Sequence, residues 1–137
     1  MGNKNAQIST EYLILVGFVI FVLATAAGFA FFYTQNISDR VKLDQIQGFA
    51  NKLISSSESV FYAGAPSKIT LNAYLPSGIE SINIENNSIV FNLSTSSGYT
   101  MMSFESNVEI SGDLSSSEGL KKIVITAQQN GVNIAED

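Results

Sequence analysis

The chain has no histidine and no cysteine, and only 14% of its 137 residues are charged. Without histidine, no side chain has an unperturbed pKa that suits proton transfer near neutral pH, and without cysteine there is no thiol nucleophile or thiolate ligand. These absences argue against zinc, iron–sulfur and redox sites. Serine residues are numerous, but neither G-x-S-x-G nor S-x-x-K occurs. We therefore expect no enzyme activity, no metal and no cofactor.

Positive charge is also scarce, since the formal net charge is −5. The chain offers no basic surface to neutralise phosphates, so nucleic acid is not an expected partner. The acidic residues of the C-terminal half have irregular spacings and no calcium-loop pattern, which favours a solvated acidic face over a carboxylate pair or a calcium site. They are Glu80, Glu85, Glu105, Glu109, Asp113 and Glu118.

The longest uncharged stretch lies near the N-terminus. No charged side chain occurs in residues 12–38, and residues 12–33 are apolar at almost every position. Their number is close to the roughly 20 residues that a helix needs to cross the hydrocarbon core of a membrane. The core helix of a soluble protein would carry a polar stripe, which this run lacks. The sequence therefore predicts a membrane-spanning helix.

The residues before the apolar run differ from an ordinary secretory signal peptide, in which cleavage follows the apolar core. Here the polar residues 1–6 and the sequence QISTEYL precede the run, so processing near Ala6 would leave the hydrophobic helix on the mature protein. Glu11 stands directly before the run, where burial of a lone carboxylate costs about 2.5–3.5 kcal/mol. It needs a positive partner, or it lies at the membrane edge beside a helix N-terminus capped by Ser9 or Thr10.

Five residues just before and at the start of the run resemble the Q-x-S-x-E-Y-L motif of archaeal class III signal peptides, which occur on type IV pilin-like precursors. They are Gln7, Ser9, Glu11, Tyr12 and Leu13. The resemblance implies that a prepilin peptidase recognises these residues and cleaves between Ala6 and Gln7. Glu11 then becomes the fifth residue of the mature chain, where its carboxylate is expected to neutralise the terminal amine of an adjoining subunit.

The resemblance further implies an organisation and a set of partners. Residues 1–6 form a cleaved leader, residues 7–63 a long helix and residues 64–137 an extracellular head. The precursor resides in the cytoplasmic membrane, meets the peptidase and the pilus assembly machinery, and joins other copies in a helical filament at the cell surface. Small residues either let such helices approach closely or are the ordinary composition of a membrane span. They are Gly17, Ala24, Ala26, Ala27 and Gly28.

After the apolar run, apolar residues recur mostly at three- and four-residue spacings between charges, which predicts an amphipathic helix. They are Ile37, Val41, Ile46, Phe49, Ala50, Leu53 and Ile54. This helix either continues from the span or follows a break at residues 34–38. The Ser-rich residues 55–59, 94–97 and 115–117 are predicted loops.

From residue 68 onwards the hydrophobic pattern changes to period two, which predicts strands, for example at residues 68–75 and 88–94. Asn130 with Gly131 predicts a hairpin turn between the last two strands. We therefore expect an α+β fold. A long N-terminal hydrophobic helix, in the lollipop form of pilins, is followed by a small head made of one antiparallel sheet that the amphipathic helix covers.

Three N-x-[ST] sequons are candidate N-glycosylation sites, at Asn36, Asn86 and Asn92, although some sequons arise by chance in a chain rich in Asn and Ser. The leading functional hypothesis is a structural pilin subunit that serves surface attachment. One alternative is a single-pass, membrane-anchored binding protein of the cell surface that never polymerises. Another is a minor pilin or archaellum-related subunit, which would share every feature above.

Overall fold

The computed structural model describes residues 4–85 and 87–137, with the side chains of residues 9–34, 37–85 and 87–137. Within these residues there are one helix and seven strands. They are α1 Lys4–Ala63, β1 Lys68–Leu75, β2 Ile79–Glu85, β3 Ser88–Thr95, β4 Gly98–Glu105, β5 Ile110–Asp113, β6 Gly119–Ala127 and β7 Val132–Glu136. The predicted α+β class, with a long N-terminal helix before a β-rich part, is confirmed.

The helix α1 contributes to two compact units of the chain, residues 1–38 and residues 39–137. It is helical through residues 34–38, so the alternative of a break there is wrong. The loop predicted at residues 55–59 is also wrong, because these residues are helical. Ser57 donates its hydroxyl to the Leu53 carbonyl at 2.9 Å and Ser59 to the Ser55 carbonyl at 2.7 Å. Hydroxyls bonded to the preceding turn in this way are compatible with a helix.

The strands form two sheets, whereas the sequence predicted one. The strand orders in the described residues are β1-β6-β7-β5 and β2-β3-β4. Neighbouring strands are antiparallel apart from β5 and β7, which run parallel with Gly112 opposite Ile134. The predicted hairpin of β6 and β7 is confirmed, with Ala127 opposite Val132. Its turn is closed by the Gln128 N–H, which donates to the Gly131 carbonyl at 2.8 Å.

One hydrophobic core joins the later part of α1 to both sheets. The helix contributes a single buried face, made of Ile46, Phe49, Ala50, Leu53, Ser57 and Val60. The sheets contribute alternate residues, as the period-two pattern predicted. Ile37 and Val41, the first two apolar residues of the predicted amphipathic helix, are about half exposed and lie outside this buried face. The helical repeat carries the buried face through Leu43 instead, which is partly buried.

Candidate functional site

The apolar run forms an exposed surface on the first part of α1. In residues 12–33 every side chain is exposed apart from Val16, which is half-buried. Leu13 and Phe31 illustrate the extent, at 72% and 76% exposed. Because each square ångström of apolar surface removed from water gains roughly 25 cal/mol, this segment favours a lipid or protein environment over water.

By length and composition this part of α1 could cross a membrane, since an 18-residue window in it has a mean hydropathy of 2.6. At 1.5 Å per residue, residues 12–33 extend about 33 Å, compared with about 30 Å of bilayer hydrocarbon. The hydroxyl of Thr25 donates to the Phe21 carbonyl at 2.8 Å, and that of Thr34 to the Ala30 carbonyl at 2.9 Å. These hydroxyls therefore keep internal partners, as a lipid environment requires.

The motif residues lie on the first turns of α1. Ser9, Glu11, Tyr12 and Leu13 are all exposed. The backbone of Ala6 and Gln7 is helical, while their side chains lie outside the described part of the chain. Positions 7 and 11 are four residues apart, so they occupy the same side of the helix one turn apart.

The structure describes the three candidate glycosylation sites to different extents. Asn86 lies outside the described residues, and Asn36 has a helical backbone with its side chain outside them. Asn92 lies on β3 between Phe91 and Leu93, both of which face the core, so its side chain projects from the opposite surface of the sheet. Its Nδ2 atom, the atom that a glycan would occupy, donates to Ser81 Oγ at 2.8 Å.

A shallow depression surrounds Asn92 on the outer surface of the three-stranded sheet. Its volume is about 410 Å³ and its lining residues are Glu80, Ser81, Asn92, Tyr99, Thr100 and Met101. It combines an aromatic ring and a thioether with amide, hydroxyl and carboxylate groups.

A lysine inside the four-stranded sheet is a polar feature that the sequence did not reveal. Lys121 is buried on β6, on the same face of the strand as the core residues Ile123 and Ile125. Its Nζ donates to Glu136 Oε1 at 2.7 Å, to Ser117 Oγ at 2.7 Å and also to Ser115 Oγ. All three ammonium hydrogens are thus used, which offsets the cost of burying the charge.

The partner carboxylate is held from two sides. The backbone N–H of Ser115 donates to Glu136 Oε2 at 3.1 Å, and its hydroxyl donates to the same oxygen at 2.8 Å. The Lys121 hydrogen bond, together with those from Ser115, lowers the pKa of Glu136 below its ordinary value. This cluster closes the loop between β5 and β6 over the end of β7, which indicates a structural role.

Stability is expected to fall in acid because of this carboxylate. Since the folded-state pKa of Glu136 is lowered, its contribution is present above the unfolded pKa and is lost as pH falls through the folded pKa. Glu136→Gln should therefore lower the urea midpoint at pH 7, and the difference from the wild type should shrink below about pH 4. Urea titrations from pH 7 to pH 3 measure it.

Glu118→Gln is the matched control, because Glu118 is an exposed glutamate of the same loop. A difference between the wild type and Glu136→Gln that stays constant down to pH 3 would contradict the role given to the Lys121–Glu136 pair.

The six acidic residues of the predicted acidic face are all exposed. Among the described residues, no group of three or more metal-ligating side chains could hold a metal ion.

No protein-family profile, curated protein or solved structure matches this chain. The exposed apolar part of α1 and the residues that precede it are therefore the features that bear on function.

Proposed function

We propose that the chain is a structural subunit of an archaeal type IV pilus-like extracellular filament that serves surface attachment. A prepilin peptidase removes residues 1–6, and the subunits assemble through their hydrophobic helices. The observation that carries the proposal is the run at residues 12–33, which is exposed on all sides of α1 and begins with the last two residues of the Q-x-S-x-E-Y-L sequence. Adhesion itself follows only from the resemblance to pilins.

The uniform exposure of the run supports two successive environments. In the precursor, lipid covers the apolar side chains. In a filament, helices of other copies cover them, and the small residues set the closest approach. Ala24 and Gly28 are four residues apart and share one side of the helix with Gly17. Apart from the adjoining residues and the nearby backbone of α1 itself, no atom of the described chain lies within 4 Å of a Cβ placed on Gly17 or Gly28, so that side is open to another helix.

Glu11 gives the assembly an electrostatic constraint. Its side chain is exposed in the single chain, and covering it with apolar helices would leave a carboxylate without water. Cleavage before Gln7 creates a terminal amine one helical turn away from position 11. The amine of one copy and the carboxylate of the next can neutralise each other, and the uncleaved leader cannot supply that amine.

The test is the N-terminus of the chain in sheared cell-surface material, measured by intact mass and by the terminal peptide. We expect a chain that starts at Gln7 in the filament fraction and the full-length precursor only in membranes. Finding the chain only in membranes, with Met1 retained, would overturn the proposal.

Glu11→Gln should reduce the amount of sheared filament on the order of tenfold or more, because each copy would leave a buried amine without its counter-charge. Glu118→Gln changes the net charge equally on an exposed loop and should leave the yield unchanged. Equal yields of the two variants would remove the role given to Glu11.

A membrane-anchored binding protein of the cell surface is the second candidate. The observation that favours it is the depression around Asn92, whose aromatic, amide and carboxylate groups could hold a small polar ligand. It also uses the membrane-spanning helix, but it requires neither cleavage nor polymerisation. Two measurements distinguish this binding protein from a pilin. They are the mass of the N-terminal peptide and the presence of the chain in sheared filaments or only in membranes.

A further inference from the structure

Sheet edges are the places where another strand can add to this fold, because their outward backbone groups have no partner within the sheet. In the described residues, the edge strands are β1 and β5 of one sheet and β2 and β4 of the other. The edges differ in how far the chain protects them.

The edge of β1 is capped by a lysine. Ala127 N–H donates to the Ser67 carbonyl at 2.8 Å, and since antiparallel partners alternate, the carbonyl of Asn72 points away from β6. Lys52 of α1 donates its Nζ to that carbonyl at 2.9 Å. A charged side chain thus occupies the middle of the free edge, which opposes the addition of a strand.

Residues of β2 and β5 lie close to each other, with Cα atoms within 8 Å. This closeness leaves less room for another strand at either edge. In addition, β5 has only four residues, and β2 has a register shift between Ile79 and Ser81. Short strands and irregular pairing both disfavour the addition of another strand.

The edge of β4 has none of these protections. It has eight residues in regular register with β3, and residues 98–104 contain no charge and no proline. Ser106 N–H donates to the Asn87 carbonyl at 2.7 Å, so by the same alternation the backbone groups of Tyr99, Met101 and Ser103 point outward. The side chains of Tyr99 and Met101 are 81% and 69% exposed. In the part of the chain that is described, no strand lies beyond β4.

We propose that β4 pairs with β4 of a second copy, antiparallel, with Met101 opposite Met101. This register places Tyr99 of each copy opposite Ser103 of the other and satisfies the outward N–H and C=O groups of all three residues. Met101 and Tyr99 of the two copies then form one apolar patch on the outer surface. This pairing of the second unit of the chain is independent of the helix assembly and of leader cleavage.

Charge favours a second copy at this edge over the charged surfaces of the same unit. The chain has a net charge of −5, so two copies repel each other at most orientations. Residues 98–104 are uncharged, and in the proposed register the two Glu105 side chains lie at opposite ends of the paired strands, about 26 Å apart at 3.3 Å per residue. Two acidic chains can therefore meet here without opposing like charges.

The absence of native cysteine allows a direct test with the full-length chain in detergent micelles. Residues directly opposite in a hydrogen-bonded antiparallel pair have Cα atoms about 5.5 Å apart, which suits a disulfide. Under mild oxidation, Met101→Cys should form a covalent dimer at least about tenfold faster than Tyr74→Cys, because pairing raises the local thiol concentration. Tyr74 is the matched control, since it is an exposed residue on the capped edge strand β1. Association through the apolar helices would affect both variants alike.

Ser103→Pro in the Met101→Cys chain removes an outward N–H and puts a ring at the pairing surface, while the hydrogen bonds to β3 do not use that N–H. It should lower the dimerisation rate to that of Tyr74→Cys, with an unchanged circular dichroism spectrum. Equal rates for Met101→Cys and Tyr74→Cys would overturn the proposal even if Ser103→Pro failed to fold.

Discussion

Phe91→Ala is expected to lower the free energy of unfolding of the unit formed by residues 39–137 by about 3–5 kcal/mol. Phe91 is fully buried at the centre of β3. Its ring packs edge-to-face against Phe49 of α1, with centroids 6.1 Å apart, and against Phe104 of β4, with centroids 5.9 Å apart. Removal of the ring leaves a cavity between the helix and the three-stranded sheet and deletes both aromatic contacts.

The measurement is urea unfolding of the detergent-solubilised chain. The chain has no tryptophan, so tyrosine fluorescence and circular dichroism follow the transition. Leu120→Ala, an exposed leucine on β6, is the matched control and should change stability by no more than about 0.5 kcal/mol. Similar losses for the two variants would show that Phe91 is not the centre of this core.

Gly112→Ala is expected to separate β5 from β7 and to lower the free energy of unfolding by about 3 kcal/mol or more. Gly112 lies opposite Ile134 in the parallel pair, and a Cβ placed on it would stand 1.9 Å from the Ile134 carbonyl oxygen. Its φ of +133° is also a conformation that costs a residue with a side chain about 1–3 kcal/mol. The neighbouring atoms belong to backbone, so no side-chain rotation can relieve the contact.

Gly119→Ala separates the two causes. Gly119 has a similar φ of +130°, but in the described chain no atom beyond its two sequence neighbours lies within 4 Å of the position that a Cβ would take. This control should lose only the conformational part, about 1–3 kcal/mol. Hydrogen exchange at the β5 and β7 amides should increase in Gly112→Ala and not in Gly119→Ala. Equal stability losses would mean that the close approach of β5 to β7 is unimportant.

Local pattern was sufficient for most of the secondary structure. The run at residues 12–33 predicted a helix because apolar residues continue over a membrane-length segment, and period-two alternation predicted β1 with the bounds that the fold has. The turn at Asn130 and Gly131 predicted the β6–β7 hairpin because that preference is local to the turn. The Ser-rich residues 55–59 were assigned wrongly, since composition does not show whether a serine hydroxyl bonds to the preceding helical turn.

Pairing between distant strands was beyond local pattern. Alternation shows which side chains of a strand face the core, but strands of one sheet and of two sheets give the same pattern. The strands β5 and β7 are paired in parallel, although β6 separates them in the sequence and lies on the other side of β7 in the sheet. For the same reason the sequence did not indicate that Lys121 is buried. Its partners Ser115, Ser117 and Glu136 reach it only through the loop before β6 and the end of β7.

The sequence by itself determined the long apolar helix, the motif in front of it and the α+β class, because each depends on residues that are close together in the chain. Only the tertiary structure decided the two-sheet arrangement, the ion pair of the buried Lys121 with Glu136, and the single unprotected edge at β4 among the described strands. These depend on contacts between residues far apart in sequence, whose energies no local pattern contains.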